Sequence, residues 1–152
     1  MKIAIGADHG GFRLKEEIVR FLRERGHDVV DVGCSSAESV DYPDYAVPVC
    51  DMVVKGEADR GILICGTGIG MSIAANKIPG CALVHDVFSA KATREHNDSN
   101  VLSMGERVIG PGLAQEIVRV WIETPFSGEQ RHQNRIDKVC RLEAGFAGQE
   151  RA

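Results

Sequence analysis

Short apolar runs of strand length alternate along the chain with longer stretches whose apolar residues recur every three to four positions. That alternation is the signature of a parallel sheet wound with helices. Lys2–Ala7 (KIAIGA) is the first predicted strand. A helix follows over Phe12–Arg25, where Leu14, Ile18, Phe21 and Leu22 fall on one face, and Gly26 stops it in the C′ position. Asp28–Val32 reads as a second strand and Gly33–Val40, rich in Ser and small residues, as a loop. Asp41-Tyr42-Pro43 opens a helix running to Lys55. Gly61–Cys65 (GILIC) is continuously apolar, as expected of a central strand covered on both faces, and a short helix to Lys77 follows its glycine-rich turn. Cys81–Val84 and Val101–Met104 supply two more strands, with helices over Val87–Glu95, Pro111–Ile122 and Gln130–Leu142. The last helix carries Ile136, Val139 and Leu142 on one side, and Glu143–Ala152 reads as a frayed tail. The pattern predicts a single doubly wound, Rossmann-like α/β domain over residues 1–142, with a five-stranded parallel sheet and a C-terminal helix. Right-handed crossovers bring all strand C-termini to one edge, where ligands bind.

Composition narrows the function classes. The chain has 152 residues, 43% of them apolar and 26% charged, which suits one folded domain and is too hydrophobic for disorder. Its net charge of −4 and lack of a basic run disfavour a nucleic-acid partner. No apolar stretch approaches the ~20 residues a membrane span needs, and the N-terminus lacks the features of a signal peptide. Five cysteines, at 34, 50, 65, 81 and 140, form neither a CxxC pair nor an even disulfide framework. Reduced thiols in a cytoplasmic protein are expected, with Cys34, Cys50, Cys81 and Cys140 as inert packing.

Two strand ends carry the candidate chemistry. Cys65-Gly66-Thr67-Gly68-Ile69-Gly70 sets a thiol at the end of a strand, then glycines at alternate positions, then a helix. Such a loop can turn backbone N–H groups toward an oxyanion or phosphate, though tight strand-to-helix packing would use the same glycines. It has neither the Lys-Ser/Thr of a P-loop nor the sixth-position Gly of a dinucleotide fingerprint. A Cys ending an apolar strand is commonly a small buried hydrophobe, but a nearby helix N-terminus favours the thiolate, which can act as base or nucleophile. Asp8-His9-Gly10-Gly11 offers an acid/base pair, an anion ligand or simply a helix cap. His96-Asn97-Asp98-Ser99-Asn100 is a polar cluster that can also serve as a hydrogen-bonded turn. His85-Asp86 is a further pair after the fourth strand. Arg107 follows the fifth strand, and Arg131 and Arg135 lie at i and i+4, spaced to clamp a phosphate or to form a solvated face. His, Asp and Glu are not spaced as a metal site, and no cofactor is expected.

Gly6–Phe12, Asp41-Tyr42-Pro43, Gly61–Lys77 (GILICGTGIGMSIAANK), Arg94–Leu102 (REHNDSNVL), Gly105-Glu106-Arg107 and Arg131–Ile136 (RHQNRI) together resemble ribose-5-phosphate isomerase type B, a family that includes galactose-6-phosphate isomerase subunits. The resemblance spans Lys2 to Leu142. It implies a metal-free aldose–ketose isomerase working through a cis-enediol, in a homodimer or homotetramer with sites between subunits. Carried over by position, Cys65 is the base, Thr67 handles a hydroxyl proton, and His96 with Asp8 open the sugar ring. His9, Arg107, Arg131 and Arg135 hold the phosphate, while Asn97 and the amides of Gly66, Gly68, Ile69 and Gly70 hold the sugar oxygens. Some relatives lack this Cys and use a carboxylate where this chain has Met71, which leaves Cys65 as the base of the motif. His85 and Asp86, in a variable segment beside the sugar, are expected to tune which phosphorylated sugar is preferred. Ribose 5-phosphate and ribulose 5-phosphate are the leading pair. A hexose or tetrose phosphate, or a non-catalytic sugar-phosphate binding module, are the alternatives.

Overall fold

The computed structural model describes residues 1–78 and 80–146. Five strands, β1 (Lys2–Ala7), β2 (Asp28–Asp31), β3 (Arg60–Cys65), β4 (Cys81–Leu83) and β5 (Val101–Gly105), form one sheet in the order β2-β1-β3-β5-β4, every neighbouring pair parallel. Six α-helices, α1 (Phe12–Glu24), α2 (Pro43–Val54), α3 (Ile69–Ala75), α4 (Val87–Asn97), α5 (Pro111–Glu123) and α6 (Gln130–Phe146), complete the Rossmann-like architecture.

Strand alternation divides the core between the two faces. Ile3, Ile5, Ile62, Ile64, Leu102 and Met104 pack under α1, α4 and α5, while Ala4, Leu63, Cys65 and Val101 pack under α2 and α3. β3 is buried on both faces, which is why its residues read as an unbroken apolar run. The Cys65 side chain therefore faces the α2–α3 layer. The chain steps from β1 outward to β2, then returns across β1 to β3, so the winding reverses between β1 and β3. Their C-terminal ends flank the crevice where ligands bind in open sheets of this kind.

Several element ends differ from the sequence pattern. A 3₁₀ turn over His9–Gly11 precedes α1, with Asp8 as its cap. α3 stops at Ala75, two residues before Lys77, because the Asn76 side chain accepts from Cys81 N–H at 3.2 Å and donates to Ser72 O at 2.9 Å. α4 runs on to Asn97 and ends where Asp98 adopts a left-handed φ of 50°, held by Arg94 at 2.8 Å. α6 continues four residues beyond Leu142, so Glu143–Phe146 is helix where a tail was expected. Residues 147–152 of that tail lie outside the described residues. Among the described residues no helix is long and apolar enough to cross a membrane.

Candidate active site

The crevice between β1 and β3 is built largely from backbone. At the end of β3, Cys65 is buried, 5% exposed as a residue, and its sulfur accepts an N–H from Gly68 at 3.1 Å. A donor aimed at that atom stabilises negative charge on it. The bond depends on the turn of the loop. Gly68 has φ +77°, and a Cβ there would lie 2.8 Å from the carbonyl carbon of Met104. Ser103, fully buried on β5, donates its hydroxyl to Gly68 O at 2.7 Å and fixes the turn from behind. Thr67 is exposed, its Oγ1 accepting from Ile69 N–H at 3.3 Å.

The β1 end meets this loop directly. Asp8 N–H donates to Ile64 O, and the ideal Cβ position of Gly10 lies 3.0 Å from Gly66 N. Asp8 is buried; one carboxylate oxygen accepts from Gly10 N–H at 2.9 Å, capping the 3₁₀ turn, and the other has no partner among the described residues. His9 accepts from Val40 N–H at 3.2 Å through Nδ1, so a neutral His9 carries its proton on Nε2. Arg107 is exposed, its backbone paired to Gly66 O and its guanidinium 3.3 Å from the Cβ position of Gly66. It makes no ion pair among the described residues. Asp8, His9, Cys65, Gly66, Thr67, Gly68, Ile69, Gly70 and Arg107 are thus brought together at one sheet edge.

The other expected site residues lie elsewhere in the chain. His96 and Asn97 close α4, a helix that returns antiparallel to the strands and feeds β5 from its start. Asn100 accepts from Gly61 N–H at 2.9 Å, at the opposite end of β3 from Cys65. The run from Gly61 to Cys65 spans about 13 Å at ~3.3 Å per residue. Around His96 a second group assembles: its ring stacks on His132 of α6, with centroids 4.3 Å apart and planes at 11°. Arg131, paired to Glu129 at 2.6 Å, and Arg135 flank His132 and are both exposed. Within one chain, His96, Asn97, Arg131 and Arg135 stand at the sheet edge opposite Cys65 and Asp8.

The pair after β4 is occupied with its own backbone. His85 Nε2 accepts from Gly105 N–H at 3.0 Å, and burial draws its imidazole below the ordinary value, partly offset by Asp86. Asp86 caps α4, and the Ser89 N–H and hydroxyl, each at 2.7 Å, hold its carboxyl below the usual range. Burial pushes the Cys50 thiol up to about 11 and the Cys81 thiol up to about 12, and raises Cys34 as well, as inert packing requires. Cys140, expected in packing, is instead exposed on α6.

Three residues of the site were not anticipated. Glu106, the residue after β5, accepts from Leu14 N–H at 2.9 Å and so caps the first turn of α1 from across the sheet. Tyr42 lays its ring about 3.0 Å from the Cβ position of Gly70. His132 is the only buried residue of α6 among those described. The motifs DYP, GER and RHQNRI contained all three, but their contacts are long-range. Among the described residues no three His, Cys, Asp or Glu side chains group as a metal site.

Residues 3–139 match the profile of the Ribose/Galactose Isomerase family. YwlF of Bacillus subtilis (strain 168), provisionally named a sugar phosphate isomerase, is 61% identical over 146 residues, covering 94% of this chain and 97% of that protein. D-erythrulose-4-phosphate isomerase 2 of Mycolicibacterium smegmatis is 40% identical, with 94% and 97% covered. The solved structure of Clostridium thermocellum ribose-5-phosphate isomerase B superposes with a TM-score of 0.94 at 50% identity, covering 97% of this chain and all of that one. The chain belongs to the ribose/galactose isomerase family and is a sugar phosphate isomerase of the type B group.

Proposed function

We propose that the chain interconverts ribose 5-phosphate and ribulose 5-phosphate through a cis-enediolate, with Cys65 as the base. The observation that carries this reading is the Cys65 sulfur, receiving the Gly68 N–H at the crevice between β1 and β3 beside the Asp8 carboxylate and the Arg107 guanidinium. The thiolate takes the proton from C2 of the open aldose and returns it to C1. Amides of Gly66 and Gly70 stabilise the charge that develops on the sugar oxygens, joined by those of Gly68 and Ile69 once substrate draws them from the Cys65 sulfur and Thr67 Oγ1, and Thr67 moves a proton between O1 and O2. Phosphate contacts from His9, Arg107, Arg131 and Arg135 act equally on ground and transition states, so they anchor the substrate while the thiolate and amides supply rate. His96 and Asp8 open the furanose ring, and Asn97 holds a sugar hydroxyl.

This assignment requires a second copy. One chain presents Cys65 and His96 at opposite sheet edges, so a complete site pairs the Cys65 edge of one protomer with the His96 edge of its partner. Two uncovered apolar surfaces support such an assembly. Ile69 and Ile73 on α3, Leu83 beside Gly68 and the 80% exposed Phe88 in the first turn of α4 are uncovered, and Val139 with Leu142 form a stripe on α6. All five cysteines are unpaired, which suits a thiol base working in the reducing cytoplasm.

The relative named for D-erythrulose 4-phosphate favours a second reading in which a four-carbon phosphate is the substrate. A hexose 6-phosphate would need room for one more carbon. Steady-state rates on four-, five- and six-carbon aldose and ketose phosphates separate the three, and the leading reading predicts the highest kcat/KM on the five-carbon pair. Cys65→Ala should abolish turnover on all of them while leaving phosphate affinity unchanged; a preferred tetrose or hexose would overturn the substrate, and an active Cys65→Ala would overturn the base.

A further inference from the structure

α6 is polar along most of its length, yet its single buried residue among those described is a histidine rather than a hydrophobe. His132 is 2% exposed and neither ring nitrogen has a partner among the described residues. Burying an imidazole without hydrogen bonds carries a desolvation cost that an aliphatic side chain would avoid, so packing against α4 does not by itself account for the residue. What the ring does contact is the face of His96, nearly parallel and at stacking distance.

We propose that His132 is a positioning residue for His96, its flat ring serving as the platform that fixes the plane of the His96 imidazole. The proposal rests on the reading of His96 as a ring-opening group. His96 sits on the last turn of α4, two residues before the left-handed Asp98, half-buried and with no hydrogen bond to its ring among the described residues. Transfer of a proton to or from the anomeric hydroxyl or the ring oxygen demands a defined direction for the imidazole nitrogen. A stacked aromatic neighbour removes rotation about the ring's χ2 and leaves the ring edge, which carries both nitrogens, open to the substrate.

The platform must also stay uncharged, since two stacked imidazolium ions would repel. Burial draws His132 below its ordinary value, the nearby Arg131, His96 and Arg135 act in the same direction, and Glu129 opposes them. His96 can then accept a proton during ring opening against a neutral face.

Sugar chemistry supplies a readout that separates this role from a general structural one. Ribose 5-phosphate is mainly a closed furanose, whereas ribulose 5-phosphate stays open because its C5 oxygen is esterified. Ring opening therefore burdens only the aldose direction, and exchange of the ketose C1 hydrogen with solvent reports on Cys65 alone. His132→Ala should lower kcat in the aldose direction about 10- to 100-fold, as misplacement of a catalytic group by ~1 Å does, with ketose exchange within about twofold of wild type. His132→Phe, which keeps the flat face and loses the nitrogens, should restore the aldose rate to within about threefold of wild type. His132→Asn, polar without the stack, should behave as His132→Ala. Melting temperatures would confirm that the three variants are folded; His132→Phe, which removes two unpartnered buried nitrogens, provides a folded variant in any case.

His132→Phe as slow as His132→Ala, or His132→Asn at the wild-type rate, would show that the nitrogens matter and overturn the platform. Loss of ketose exchange in step with aldose turnover would overturn it as well. His96→Ala is the reference: if slow in the aldose direction while His132→Ala is not, the platform alone fails. A His96→Ala enzyme at the wild-type aldose rate removes the ring-opening role and the platform with it.

Discussion

Gly68→Ala tests how tightly the chemistry depends on backbone. At φ +77° a residue bearing a Cβ costs about 1–2 kcal/mol in the left-handed region. The new methyl would also lie 2.6 Å from Leu83 Cδ1, 2.8 Å from Met104 C and 3.0 Å from Met104 O. Leu83 can swing aside, being partly exposed, but Met104 belongs to the buried strand β5, so the loop itself must move. Strain of this second kind adds about 1–2 kcal/mol, for a total near 3 kcal/mol. For a domain of this size that corresponds to a fall in Tm of roughly 9 °C at ~3 °C per kcal/mol. A displaced loop also withdraws the N–H from the Cys65 sulfur, and loss of one such donor costs about 100-fold in kcat. The assay is thermal denaturation followed by circular dichroism, together with initial isomerisation rates. Gly112→Ala is the matched control: its Cβ meets nothing within 4 Å and it lies in the first turn of α5, so Ala should stabilise by about 0.5 kcal/mol and leave turnover unchanged. Gly68→Ala melting within a degree of wild type, with full turnover, would refute the role of the left-handed turn.

Three further outcomes follow from the geometry. Cys65→Ala, inactive alone, and His96→Ala, slow alone in the aldose direction, should regain about a quarter of wild-type aldose turnover when unfolded together and refolded as a 1:1 mixture, half of the dimers being mixed and each holding one intact site of two; no recovery would mean that a site is not shared between copies. Glu106→Ala deletes the acceptor for Leu14 N–H and should lower stability by about 1 kcal/mol, roughly 3 °C in Tm, whereas Glu106→Gln keeps an acceptor oxygen and most of that stability; identical melting of Glu106→Ala and wild type would contradict the cap. Burial draws His27 and His85 below the ordinary value of 6.5, so as pH falls through 6.5 the unfolded chain takes up protons first and the folded state loses stability. The urea midpoint should therefore be lower at pH 5.5 than at pH 7.5, and His85→Gln, which keeps an acceptor for Gly105 N–H, should reduce the difference; an unchanged difference would remove His85 as a contributor.

The sheet was legible because its central strands are buried on both faces, which leaves GILIC as an unbroken apolar run between turn signals. The motif loop was legible because a glycine-rich strand-to-helix turn has few uses. The separation of His96 from Cys65 follows from topology alone: a helix that ends just before a parallel strand must sit at that strand's starting edge, while a residue ending a strand sits at the other. Glu106 capping α1 joins residues 92 positions apart, and no local pattern announces it. His132 carries no periodic signal either, since a buried imidazole amid a polar helix looks like one more polar residue. α6 outruns the apolar stripe that Leu142 closes because Glu143 and Ala144 favour helix and the first breaker is Gly145.

The most direct test is deuterium incorporation at C2 of ribose 5-phosphate in heavy water, followed by NMR during turnover. The wild-type enzyme should place deuterium at C2 as the ketose returns to the aldose, and Cys65→Ala should place none while still binding inorganic phosphate with wild-type affinity. Deuterium entering C2 at an undiminished rate in Cys65→Ala would contradict the assignment of the proton transfer to that sulfur.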